Sequence, residues 1–67
     1  MLEQLRKFAE QKLEQCANKK DLIDRLSFEC ECFGAFNFVL IQTHSPEILD
    51  LWDEFAPRFY KLLNELM

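Results

Sequence analysis

Two cysteines spaced two residues apart are the first side chains in this sequence that could do chemistry. Cys30 and Cys32 form a Cys-x-Cys pair, and thiolates are good ligands for zinc and copper. A closed zinc site needs four ligands, and only Cys16 and His44 remain to complete one. On a helix, residues two apart point about 200° away from each other, so this pair could not share a metal. We therefore predict no metal site and interpret the cysteines as small buried apolar side chains.

The histidine and the acidic residues do not form a matched catalytic set. A catalytic histidine needs a nucleophile and an orienting acid nearby, and no pattern around His44 supplies them. Glu47, Asp50, Asp53 and Glu54 have the spacing of one helix face, but carboxylate metal sites in bundles use a Glu-x-x-His pattern that is absent here. We predict a non-enzymatic protein without a cofactor, whose carboxylates form a solvated helix face that could attract a basic protein partner.

Length, composition and charge describe one small, apolar and mildly acidic domain. The 67 residues are 49% hydrophobic and carry a formal charge of −4. A chain of this size has little interior, and its core rarely leaves more than about 3–5 kcal/mol of net stability. We therefore predict a single helical domain over 1–67 that gains stability as a homodimer.

The cysteine number and the charge distribution bear on location and partners. Three cysteines without framework spacing are typical of a reducing compartment, so we predict a cytoplasmic protein. The longest uncharged run, between Cys32 and Glu47, is too short and too polar for a membrane span. The only basic cluster is Lys19-Lys20, whereas phosphate-backbone binding needs several clustered lysines and arginines. Nucleic acid is therefore disfavoured as a partner.

Hydrophobic periodicity predicts an all-α fold of three antiparallel helices, over about 2–17, 19–42 and 46–66, assembled as a dimeric helical bundle. The first segment is the clearest, because its apolar residues fall within one arc at helical spacing and it contains neither Gly nor Pro. Short connections between such helices make neighbours antiparallel.

Capping residues and prolines set the predicted helix ends. Asn18 is the expected N-cap of the second helix. Ser45 is the expected N-cap of the third helix, with Pro46 at its first position. Pro57 lies inside the third helix and predicts a kink there, or alternatively a break into two short helices at Ala56.

The central stretch, 22–41, allows two interpretations. Alternating apolar and polar residues over 26–32, followed by an apolar run over 36–42, could form a β-hairpin and give an α+β fold. A helix through the whole stretch instead has two apolar stripes on roughly opposite sides. The longer stripe contains Leu22, Ile23, Leu26, Cys30, Phe33, Asn37, Leu40 and Ile41, and the shorter contains Phe28, Cys32, Phe36 and Val39. We favour the helix, because the hairpin leaves 19–25 as an awkward connector.

A helix that is apolar on two sides must be buried on two sides, which leads to the predicted partner surface. We expect the longer stripe to face the chain's own helices and the shorter stripe to face a second copy. Phe38 is expected to be an exposed contact point, because it lies on the more polar side of the helix. The predicted interface contains Phe28, Cys32, Phe36, Phe38, Val39, Trp52 and Phe59.

The predicted function is a small protein–protein interaction module, a regulator, adaptor or inhibitor, acting as a homodimer. Its further partner would be a protein with a basic or apolar surface. The alternative is a DNA-binding regulator of the helix-turn-helix type, which the acidic charge balance disfavours.

Overall fold

The computed structural model describes residues 2–67 and contains three α-helices packed against one another. Helix α1 spans Leu2–Ala17, α2 spans Leu22–Thr43 and α3 spans Glu47–Asn64. Turns of four and three residues join them, so each helix runs back along the one before it. The predicted all-α three-helix fold is confirmed, and the hairpin alternative is wrong because α2 is helical through both of its proposed strands.

Helix α2 begins three residues later than predicted, because Asp21 rather than Asn18 is its N-cap. The Asp21 carboxylate accepts a hydrogen bond of 2.7 Å from the Ile23 backbone N–H. The Asn18 backbone N–H instead donates to the Glu14 carbonyl at 3.3 Å and so continues the last turn of α1. At its other end α2 stops at His44, which has a left-handed backbone (φ 53°) and donates its N–H to the Leu40 carbonyl.

The start of α3 also differs from the prediction. Pro46 is the N-cap residue and makes no side-chain capping bond, so the prediction of Ser45 as N-cap is wrong. The chain already has helical geometry at Pro46, and the Ser45 backbone carbonyl accepts from the Ile48 N–H at 3.2 Å. Helix α3 continues through Pro57, so the alternative of two short helices divided at Ala56 is also wrong.

The core is built around aromatic side chains of α2 and α3. The Phe36 ring meets the rings of Trp52 and Phe55 edge-on, with centroid distances of 5.2 Å and 6.4 Å. Phe59 stacks on Trp52 at 6.0 Å. Helix α1 covers this cluster with four buried side chains at helical spacing, namely Leu5, Ala9, Leu13 and Cys16.

The two stripes of α2 are exchanged relative to the prediction. Cys32 and Phe36, from the shorter stripe, are buried in the chain's own core, and Phe28 and Val39 pack against it. Most of the longer stripe faces outward, while Leu22 is partly buried and Leu40 packs against the core. The total accessible surface is 4632 Å², close to the ~4,500 Å² of a compact monomer of this mass. The three helices therefore form a compact monomer, and the exposed stripe lies on its surface.

Candidate functional site: the outer face of α2

The outer face of α2 is a continuous exposed surface without a charged side chain. At about 100° per residue its members fall within one arc of the helix, opposite the buried residues. We define the outer face by nine exposed residues: Ile23, Leu26, Ser27, Cys30, Phe33, Gly34, Asn37, Phe38 and Ile41.

Large apolar side chains make up most of this surface. Ile23 is 76% exposed, Phe38 63%, Ile41 62%, Phe33 50% and Leu26 45%. Together they present on the order of several hundred Å² of apolar area, the size of the largest patch on a typical monomer, and such patches often mark interaction sites. An apolar stretch of this length is large for a protein of 67 residues.

A shallow groove extends the outer face onto α3. It is lined by apolar side chains of both helices, has a volume of about 110 Å³ and is bordered by Phe33, Asn37, Leu40, Ile48, Leu49 and Trp52. The Phe33 ring lies against Trp52 at 5.3 Å between centroids, and Leu49 is 52% exposed beside them. The apolar surface therefore spans two helices.

The predicted interface residues separate into three groups. Cys32, Phe36 and Phe59 are 0–2% exposed, so their assignment to a partner surface is corrected: they belong to the core of the chain. Three others are partly buried against that core: Phe28, Val39 and Trp52. Phe38 is 63% exposed and lies on the outer face.

Arg25 is a structural feature of α2 that the sequence analysis did not predict. Its side chain is only 3% exposed, although it carries a charge. Its guanidinium donates to three backbone carbonyls, those of Ala17 at the end of α1, Lys19 in the following turn and Leu62 near the end of α3. It also pairs with the Glu65 carboxylate at 2.9 Å. Arg25 thus ties the ends of two helices to the start of α2.

This network explains which face of α2 turns inward. Arg25 lies on the same side of the helix as Cys32 and Phe36, so anchoring its guanidinium between α1 and α3 rotates the shorter stripe into the core. A signal was available in the sequence. Helix α1 has no basic residue in its last turn and no glycine after it, so its terminal carbonyls needed a donor from elsewhere.

The cysteines do not converge on a metal site. Cys16 and Cys32 are buried, whereas Cys30 is exposed on the outer face. Burial raises the pKa of Cys32 to about 12 and raises that of Cys16 as well. The Cys16 thiol is also directed at the Arg25 carbonyl, 3.6 Å away. Within residues 2–67, no cluster of three His, Cys, Asp or Glu side chains could hold a metal ion.

The acidic residues at the start of α3 remain on the surface. Glu54 forms an ion pair with Arg6 of α1, and the hydrogen bond from Arg6 lowers the pKa of the Glu54 carboxyl group. Glu47, Asp50 and Asp53 are exposed. Glu47, Asp50 and Glu54 line a shallow cleft with Leu2 and Arg6, so this negative surface lies on the α1 side of α3.

No family model, no curated protein and no solved structure matches this chain. None of the helices within residues 2–67 is both long enough and apolar enough to cross a membrane.

Proposed function

We propose that this protein is a non-enzymatic protein–protein interaction module that acts as a cytoplasmic homodimer through the outer face of α2. The observation that carries the proposal is the exposure of this face, which is uncharged over most of a 22-residue helix. Solvated helix faces normally carry charged and polar side chains, whereas the large side chains of this face are Ile, Leu and Phe.

Burial of this face supplies a sufficient driving force for association. Removing apolar surface from water contributes roughly 25 cal/mol per Å². Two outer faces of several hundred Å² each, extended by the groove beside Leu49, approach the lower end of specific protein interfaces at about 1,200 Å² in total. Because association has its own entropic cost, we expect a dimer that forms at micromolar rather than picomolar concentration.

The charge distribution weighs against the DNA-binding alternative. A recognition helix contacts phosphates and bases through exposed basic and polar side chains. Arg25 is the single basic residue of α2, and it is buried between the other helices. The exposed carboxylates of Asp24 and Glu31 would also repel a phosphate backbone.

Sedimentation equilibrium with a charged variant tests the proposal. We expect the wild-type protein to be dimeric at tens of micromolar, and Leu26→Glu to raise the dimer dissociation constant at least tenfold by placing a carboxylate in the interface. Gln11→Glu is the matched control, because it adds the same charge at an exposed position of α1. A wild-type monomer at these concentrations, or equal dissociation constants for the two variants, would contradict the proposal.

A further inference from the structure

We infer that the two copies pair through antiparallel α2 helices, with a two-fold axis at the level of Cys32. This inference rests on the proposed homodimer and specifies its geometry. The outer face then packs against the outer face of a second copy. A residue a given number of positions before Cys32 lies opposite the residue that is about the same number of positions after Cys32 in the second copy.

The outer face is complementary to itself in this orientation. Ile23 lies opposite the Leu40–Ile41 turn of the second copy, so the two ends of the interface are apolar on both sides. Asn37 lies opposite Ser27, where its amide can exchange a hydrogen bond with a hydroxyl group. A parallel pair also matches polar side chains, because it places Asn37 opposite Asn37 of the second copy. The polar contacts therefore do not distinguish the two orientations, and the charged residues must do so.

Asp24 and the helix dipoles favour the antiparallel orientation. Asp24, Glu29 and Glu31 all lie in the first half of α2, and no charged residue occurs between Cys32 and Pro46. A parallel pair would place Asp24 at the same level as its own copy, where like charges repel. The antiparallel pair moves Asp24 to the level of the uncharged Leu40 of the second copy and opposes the two helix dipoles. Glu29 and Glu31 are within three residues of Cys32, so they stay near the level of their own copies in both orientations.

The ends of the interface add charge complementarity. Lys19 and Lys20 are exposed in the turn before α2, while Glu47 and Asp50 are exposed at the start of α3, on its α1 side next to Leu2 and Arg6. Antiparallel pairing brings the basic turn of one copy to the level of the acidic helix start of the other, outside the apolar contact, where the charges act on the approach of the two copies. A parallel pair would bring basic to basic and acidic to acidic at both ends, which costs association energy.

Gly34 fits the close approach that this pairing requires. Glycine in a helix interior costs about 0.5–1 kcal/mol relative to alanine, and Gly34 does not have a positive φ that would explain it. Apart from its own helix backbone, no atom of residues 2–67 lies within 4 Å of a Cβ built at this position. In the antiparallel pair, Gly34 lies opposite Cys30 of the second copy, and the two small residues let the helices meet near the axis.

Disulfide cross-linking between engineered cysteines tests the orientation. Two full-length variants carry Cys30→Ala, to remove the exposed native thiol, together with either Ser27→Cys or Asn37→Cys. One of them has a mass tag. Each is oxidised alone, and the two are also unfolded together in urea with reductant, refolded as a mixture and then oxidised. Circular dichroism of each variant verifies that it is folded.

We expect the mixture to yield the mixed Ser27→Cys/Asn37→Cys disulfide, at least tenfold above the homodisulfide of either variant. Identical positions are roughly 15 Å apart along an antiparallel pair, beyond the about 7 Å between Cα atoms that a disulfide can bridge. Homodisulfides of each variant alone, without the mixed product, would show a parallel pair. A sedimenting dimer without any of these products would overturn this geometry and leave the homodimer standing. A monomer would overturn both and leave the outer face to a helix of another protein.

Discussion

The two faces of α2 have similar apolar content and opposite environments. The inner face places Cys32 and Phe36 at 0% and 2% exposure, in contact with both other helices. The outer face leaves Ile23 and Phe38 at 76% and 63% exposure. The inner face therefore stabilises the fold of the single chain, whereas most of the apolar surface of the outer face remains in water. Apolar residues at helical spacing predict that a surface is buried, but they do not predict what covers it.

Arg25 accounts for the difference between the faces. Buried arginine is rare unless its donors are satisfied, and within residues 2–67 every buried side-chain nitrogen and oxygen has a hydrogen-bond partner. The guanidinium reaches carbonyls of Ala17, Lys19 and Leu62, which only one rotation of α2 about its axis allows. We therefore expect this polar network to help select between two apolar faces that hydrophobicity alone does not distinguish.

The largest expected contrast is between two phenylalanines two residues apart. Phe36→Ala removes a buried ring from contact with Trp52 and Phe55 and leaves a cavity, so we expect a loss of about 3–5 kcal/mol in the free energy of unfolding. This is comparable to the whole stability of so small a domain, and helical circular dichroism should largely disappear at 25 °C.

Phe38→Ala is the matched control for that substitution. Its ring is mostly in solvent, so the free energy of unfolding of the single chain should change by less than about 0.5 kcal/mol. Urea titrations of both variants, at a concentration below the dimer dissociation constant, measure the contrast. Similar losses for Phe36→Ala and Phe38→Ala would break the distinction between the two faces.

A smaller loss is expected when Arg25 is replaced by methionine, which keeps the length of the side chain but removes its donors. The carbonyls of Ala17, Lys19 and Leu62 lose their partners, and we expect a cost of about 2–4 kcal/mol in the free energy of unfolding. Glu65→Gln, which removes only the half-exposed carboxylate charge, should cost less than about 1 kcal/mol. Chemical denaturation measures both; a neutral Arg25→Met would mean that packing alone orients α2.

Sequence patterns were sufficient for the helices and insufficient for the orientation of the central one. The bounds of α1 were predicted to the residue because Leu5, Ala9 and Leu13 define one apolar arc with charged residues opposite. The cap at Asp21 was missed because Asn18, three residues earlier, satisfies the same local rule, and only the continuation of α1 through the Asn18 N–H distinguishes them.

The sequence predicted that one apolar stripe of α2 is left uncovered by the chain's own helices, but it indicated the wrong stripe. Both stripes were visible in the sequence, and the longer one was expected to face the chain's own helices. The choice depended on Arg25, whose partners lie on α1 and α3 and as far away in the chain as Glu65. The uncapped end of α1 indicates that a donor is needed there, but the sequence does not show that Arg25 supplies it.

Gly34→Ala has a small expected effect but separates the two faces of α2 most clearly. It should stabilise the folded monomer and weaken the association of the dimer. Gly34→Ala adds a methyl group to an exposed position of α2 where, apart from the two chain neighbours and the helix's own backbone, no atom of residues 2–67 lies within 4 Å. Alanine loses less backbone entropy on folding, so the isolated chain should gain about 0.5–1 kcal/mol in the free energy of unfolding. In the antiparallel dimer the same methyl group meets the second copy near Cys30 and should weaken association severalfold. Urea titration measures the first effect and sedimentation equilibrium the second. A variant that gains stability and associates as tightly as the wild type would show that the helices do not approach each other at Gly34.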